Sequence, residues 1–145
     1  MTSKKKMISS FFCVLLVVAM ALTTGCGEKK KENNVSAEGT LREYTVLGEG
    51  QTSFRFTVVD KEGNETFFEI QTDKTTVGDA LLELGLIDGE EGAYGLYVKT
   101  VNGITADYAV DQTYWAFYVN GEYAMSGADT TNVEPGTVYS FKVEK

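Results

Sequence analysis

Ser53 to Gly85 reads SFRFTVVDKEGNETFFEIQTDKTTVGDALLELG, and this stretch decides the fold. Phe54, Phe56 and Val58 alternate with Arg55 and Thr57, the period-two pattern of a strand with one buried face. Lys61-Glu62-Gly63-Asn64 turns the chain, and residues 65–71 return as the second strand of a hairpin. Thr76-Val77-Gly78-Asp79 fits a capping box that opens a helix. Val77, Ala80, Leu81 and Leu84 then fall at i, i+3, i+4 and i+7, one apolar stripe that Gly85 ends. A hairpin followed by one amphipathic helix needs a sheet for the helix to lie on, which makes the class α+β.

Working outward, strands are expected near Leu96–Val101 and at Tyr114–Val119, each ending in Asn-Gly (Asn102-Gly103 and Asn120-Gly121), a pair suited to the type I′ turn. A polar loop from Ser126 to Asn132 and the turn Glu134-Pro135-Gly136 precede a last strand that presents Tyr139, Phe141 and Val143. The order is ββαβββ with short extra pieces. Its natural solution is a β-grasp-like mixed sheet with one helix packed on it, although other α+β layouts satisfy the same pattern.

Upstream of the domain the chain changes character. Lys4, Lys5 and Lys6 form a positive start, and Met7 to Leu22 is a 16-residue run whose polar members are Ser9 and Ser10. The run is short for a lasting transmembrane helix. It ends in Leu22-Thr23-Thr24-Gly25-Cys26, which resembles a bacterial lipobox with Thr23 where leucine is usual. Residues 1–25 are therefore expected to be a cleaved signal peptide and Cys26 the site of lipid attachment. One acyl chain holds a protein reversibly and two hold it stably, at about 0.8 kcal/mol per buried CH₂, so a diacylglyceryl cysteine anchors without a spanning helix. Residues 26–43 are polar and mixed in charge and read as a flexible tether; residues 44–145 read as the folded domain. The expected location is the outer face of a cell membrane.

Composition narrows the function. The net charge is −8, and removal of residues 1–25, which hold three lysines and no acid, takes it to −11. Nucleic acid is a poor partner for such a chain. The two cysteines are Cys13 in the leader and Cys26 at its end, so the mature domain has no internal disulfide. Histidine is absent, which removes imidazole triads and the commonest transition-metal ligand. Asp60, Glu62, Asp88, Glu90 and Glu91 read as turn carboxylates without acid–base spacing. With no P-loop, dinucleotide glycine motif or zinc spacing either, no catalytic residue, metal site or catalytic cofactor is expected.

Eight phenylalanines and eight tyrosines shift attention to binding. In Tyr114-Trp115-Ala116-Phe117-Tyr118, alternation sends one set of side chains into the core and the other outward. If Trp115 and Phe117 face inward, Tyr114 and Tyr118 face outward, and beside Tyr97 and Tyr123 they would form a platform for a planar or sugar ligand. The Ser126–Asn132 loop reads as an ordinary polar loop, with a ligand or weak calcium contact as the alternative.

Four segments carry a family resemblance: Thr76-Val77-Gly78-Asp79-Ala80-Leu81; Gly95-Leu96-Tyr97-Val98-Lys99-Thr100-Val101-Asn102-Gly103-Ile104; Tyr114 to Gly121; and Gly127-Ala128-Asp129 before Pro135-Gly136. In order and spacing they resemble the C-terminal domain of the vitamin B12 carriers transcobalamin and intrinsic factor, as found in small bacterial proteins of the DUF4430 type, from about Phe54 to Lys145. The resemblance implies a β-grasp-like lid over one face of a corrin ring, with Tyr97, Val98, Trp115, Ala116 and Phe117 near the ligand. Ala116 stands where the carriers have a polar residue, and their helical barrel has no counterpart in this sequence. Without histidine, a corrinoid would be held by stacking, apolar contact and backbone hydrogen bonds. Two functions remain in view: a membrane-anchored ligand-binding module, for cobalamin or another small ligand beside an uptake transporter, and a cell-surface module that binds protein or glycan.

Overall fold

The computed structural model describes residues 31–35 and 41–145; the expected signal peptide and Cys26 lie outside the described residues. In chain order the strands are β1 Lys31–Val35, β2 Leu41–Gly48, β3 Thr52–Val59, β4 Glu65–Thr72, β5 Ile87–Gly92, β6 Gly95–Val101, β7 Ile104–Thr105, β8 Tyr114–Val119, β9 Glu122–Tyr123 and β10 Val138–Glu144. Helix α1 spans Val77–Glu83, helix α2 Tyr108–Asp111, and a 3-10 turn Ala128–Thr130.

The opening hairpin forms as its alternation requires. β3 and β4 pair antiparallel with Phe54 opposite Ile70 and Phe56 opposite Phe68, all four buried. Asp60 builds the turn by accepting the backbone N–H groups of Glu62 and Asn64 at 2.9 and 2.8 Å and the Asn64 side-chain amide at 2.8 Å. Thr76 caps α1, its hydroxyl accepting the Asp79 N–H at 3.2 Å, and Val77, Ala80 and Leu81 are fully buried. Gly85, at φ +65°, ends the helix in the left-handed region that glycine adopts without strain.

β10 then returns parallel to β3, Tyr139 opposite Phe56, and β8 pairs antiparallel with β10, Phe117 opposite Phe141. The sheet order is β1-β2-β4-β3-β10-β8-β9, so the first hairpin and the last strand form the centre, as in a β-grasp. α1 packs on the face that carries Phe54, Phe56, Ile70, Tyr139 and Phe141, which closes one core. Tyr139 anchors it from both ends: its ring meets Phe54 edge-on at 5.2 Å, and its hydroxyl donates to the Asn132 carbonyl at 3.0 Å.

Three features depart from the sequence reading. Within the segment expected as a tether, Lys31–Val35 is strand, paired with a β2 that begins at Leu41; an edge strand needs only backbone donors and acceptors, so polar composition does not prevent it. The strand at Leu96–Val101 lies in a separate three-stranded sheet, β5-β6-β7, not in the main one. Asp88, Glu90 and Glu91, read as turn carboxylates, belong to β5. That strand is hidden in the sequence because IDGEEG looks like a turn. Gly89 is nonetheless required, since a Cβ there would lie 2.1 Å from the Tyr97 carbonyl across the bulge.

Candidate ligand-binding cleft

Where β6 of the small sheet approaches β8 of the large one, the two do not close. A cleft of about 630 Å³ opens between them, and the segment Tyr123–Thr130 forms its third side. Trp115, Phe117 and Phe141, all buried, line its inner side, Leu96, Tyr97 and Val98 make one wall, and Ser126, Gly127 and Thr130 make the facing one. Among the described residues no charged side chain lines it. Its volume and its mix of aromatic surface with a few small polar groups suit a small ligand.

Each aromatic group is fixed by its own element. Trp115 is 6 % exposed, and its indole N–H donates to the Ile104 carbonyl of β7 at 3.2 Å, which ties the two sheets together. Phe117 is 7 % exposed, stacks on Tyr139 with centroids 6.1 Å apart and meets Phe141 at 5.1 Å. Tyr97 is 41 % exposed, and the Lys99 ammonium stands 5.9 Å from its ring. Lys99 is held there by Glu90 at 3.1 Å and Asp107 at 3.7 Å, and the hydrogen bond to Glu90 raises its pKa. Tyr94 and Met125, both almost fully exposed, stand at the rim with Tyr123.

The structure divides the seven sequence-selected residues. Tyr97, Val98, Trp115 and Phe117 come together on the cleft. Tyr114, Ala116 and Tyr118 do not, because alternation along β8 turns them to the opposite face of the sheet. There the Tyr118 hydroxyl donates to Glu144 at 3.0 Å, and burial, then this bond, raises its pKa. The platform expected of Tyr114, Tyr118, Tyr97 and Tyr123 is therefore not assembled. Tyr123 meets Tyr118 edge-on at 5.6 Å at the sheet edge, while Tyr97 lies across the cleft beside Trp115.

Asp129 was quoted for the resemblance but given no role, its loop reading as an ordinary polar one. Its carboxylate turns inward, and one oxygen accepts the Leu96 N–H at 3.2 Å. The loop is fastened to the helix as well, by the Val77 N–H to the Thr131 carbonyl at 2.9 Å and the Val133 N–H to the Thr75 carbonyl at 2.8 Å. The calcium alternative for this loop finds no support, since its one carboxylate faces β6. Among the described residues no group of three or more acidic, cysteine or histidine side chains is placed to hold a metal ion.

The model of DUF4430, a domain of unknown function, matches residues 74–145. A crystal structure from Ruminococcus gnavus ATCC 29149, of a protein described as a candidate metal binder, is 33% identical with a TM-score of 0.62, over 66% of this chain and 98% of that one. The chain belongs to the DUF4430 family. All the residues that line the cleft fall inside the DUF4430 match, whereas the β3–β4 hairpin that supports it lies before. Haptocorrin in complex with Cbi aligns at 23% identity and a TM-score of 0.49, over 65% of this chain and 25% of haptocorrin, so this DUF4430 protein spans a quarter of its length. No curated protein matches the sequence.

Proposed function

We propose that this protein is a ligand-binding module held by a lipidated Cys26 at the outer face of a bacterial membrane, and that the cleft beside Trp115 is its ligand site. The observation that carries the reading is the cleft itself: aromatic, free of charged lining, and bounded by elements that fix each wall. The module holds its ligand without chemical change, since the lining offers neither a general base nor a nucleophile placed beside one.

A corrinoid is the ligand we put first. The resemblance to the B12 carriers supports it, and so does the grouping of Tyr97, Val98, Trp115 and Phe117, four of the five positions that resemblance selects. A flat macrocycle would stack on the aromatic surface, with Ser126, Thr130 and backbone groups left to meet its polar periphery. The metal binding ascribed to the Ruminococcus gnavus relative is not part of this proposal, because the cleft lacks a ligand set for an ion.

A second reading, a surface module for protein or glycan, is favoured by the rim. Tyr94, Tyr97, Tyr123 and Met125 form an exposed apolar border, the kind of surface that marks interaction sites. Trp115 is the only tryptophan, so its fluorescence reports the cleft alone. Titration with cyanocobalamin and cobinamide, corrected for their absorbance, should give saturable quenching that Tyr97→Ala weakens. Quenching that is linear and indifferent to Tyr97 would transfer the function to the second reading.

A further inference from the structure

We infer that Asp129 is the positioning residue of the cleft: it does not touch a ligand, but clasps the Ser126–Thr130 wall to β6 and so sets the distance between the two walls. The inference rests on the reading of the cleft as a binding site.

Three elements close on this one residue, two on its carboxylate and one on its backbone. A Cβ on Gly95 of β6 would stand 2.6 Å from one carboxylate oxygen, and a Cβ on Gly127 of the loop 2.4 Å from the other. A Cβ on Gly78, inside α1, would stand 2.7 Å from the Asp129 backbone N and Cα. Strand, loop and helix thus each carry glycine at the point of contact, and any side chain there would push the aspartate away. The oxygen Oδ2 accepts the Leu96 N–H at 3.2 Å, while Oδ1 is sealed from solvent without a hydrogen-bond partner. A buried carboxylate oxygen left unpartnered is costly, so the close packing against Gly95 and Gly127 acts together with the Leu96 bond to hold Asp129 in this pose.

The consequence falls on the cleft. Leu96 begins one wall, with Tyr97 and Val98 following it, and Gly127, Ala128 and Thr130 belong to the other. The Asp129–Leu96 hydrogen bond joins the two walls. Backbone bonds fasten residues 131 and 133 to the start of α1, but nothing in that attachment fixes how far the loop stands from β6.

The test needs no ligand, so failure of corrinoid binding and failure of this inference are separate results. Asp129→Ala should speed exchange of the Leu96 amide by about tenfold while core amides of β3 and β10 keep their protection. It should also roughly double the quenching of Trp115 by acrylamide, a neutral probe that enters a widened cleft. Asp129→Asn, whose side-chain oxygen still accepts from Leu96, should restore both toward the parent values. Should alanine at 129 prevent folding, Gly127→Ala serves instead: its φ of −70° suits any residue, and its Cβ displaces the carboxylate without removing it. Leu96 exchange and Trp115 quenching unchanged in both variants, or asparagine behaving as alanine does, would overturn the inference.

Discussion

The indole N–H of Trp115 donates to the carbonyl of Ile104 at 3.2 Å, so one side chain of the large sheet is fastened to the last strand of the small one. Trp115 therefore serves the fold and the cleft together, and its replacements should separate the two roles. Trp115→Phe keeps an aromatic ring and leaves the carbonyl without its donor, which should cost about 1–2 kcal/mol. Trp115→Ala removes the ring as well and should cost about 3–5 kcal/mol. Urea unfolding followed by far-ultraviolet circular dichroism gives both values; equal losses would mean that the ring contributes little to the junction.

Gly78 should reverse the usual helix rule. Within an exposed helix, alanine is favoured over glycine by about 1 kcal/mol. Here the added Cβ meets Asp129 backbone at 2.7 Å, and overpacking of that kind costs about 1–3 kcal/mol. Gly78→Ala should lower the urea midpoint without changing the slope; a raised midpoint would show that the loop yields freely.

Acid should weaken the domain through groups far from the cleft. Hydrogen bonds from Lys61 and then Thr113 lower the pKa of Asp111 from 3.8 to about 2. A pKa lowered in the folded state stabilises that state above the unfolded value, and the benefit is lost as pH falls through the folded one. Melting temperature should therefore decline between pH 4 and pH 2 partly on account of Asp111, and Asp111→Asn should flatten the decline. Glu144, lowered by Lys142 and then by Tyr118, adds in the same direction. A pH profile identical in the Asp111→Asn variant would show that the Asp111–Lys61 pair adds nothing to acid sensitivity.

Anchoring is testable in cells. If Cys26 carries the lipid, Cys26→Ala should abolish incorporation of radiolabelled palmitate and release the domain from the membrane fraction, and Cys13→Ala should do neither. Label that persists without Cys26 would refute the anchor.

What could be read in advance follows from how local each signal is. The β3–β4 hairpin, the Thr76 cap and the α1 stripe depend on neighbours a few residues apart, and each falls where the pattern put it. β5 was invisible because its strand character comes from pairing with β6 and not from its own composition. Alternation along Tyr114–Tyr118 correctly separated two faces. It could not say that the cleft lies on the Trp115 side, because that depends on where the small sheet settles. Val98 was selected by resemblance alone, and Tyr97 by resemblance and as a member of the expected aromatic platform. Asp129 had no local signal at all: Gly78, Gly95 and Gly127, which give it room, lie in three different segments, each quoted for the resemblance.

A small ligand that enters the cleft bounded by Tyr97, Trp115 and the Ser126–Thr130 loop is detected by amide chemical-shift mapping during titration with cobinamide. Saturable shifts are expected only at residues 94–98, 115–117 and 123–130, with Lys142 and Glu144 of the opposite face unmoved. Shifts centred on that opposite face, or none up to millimolar ligand, would contradict binding in the cleft.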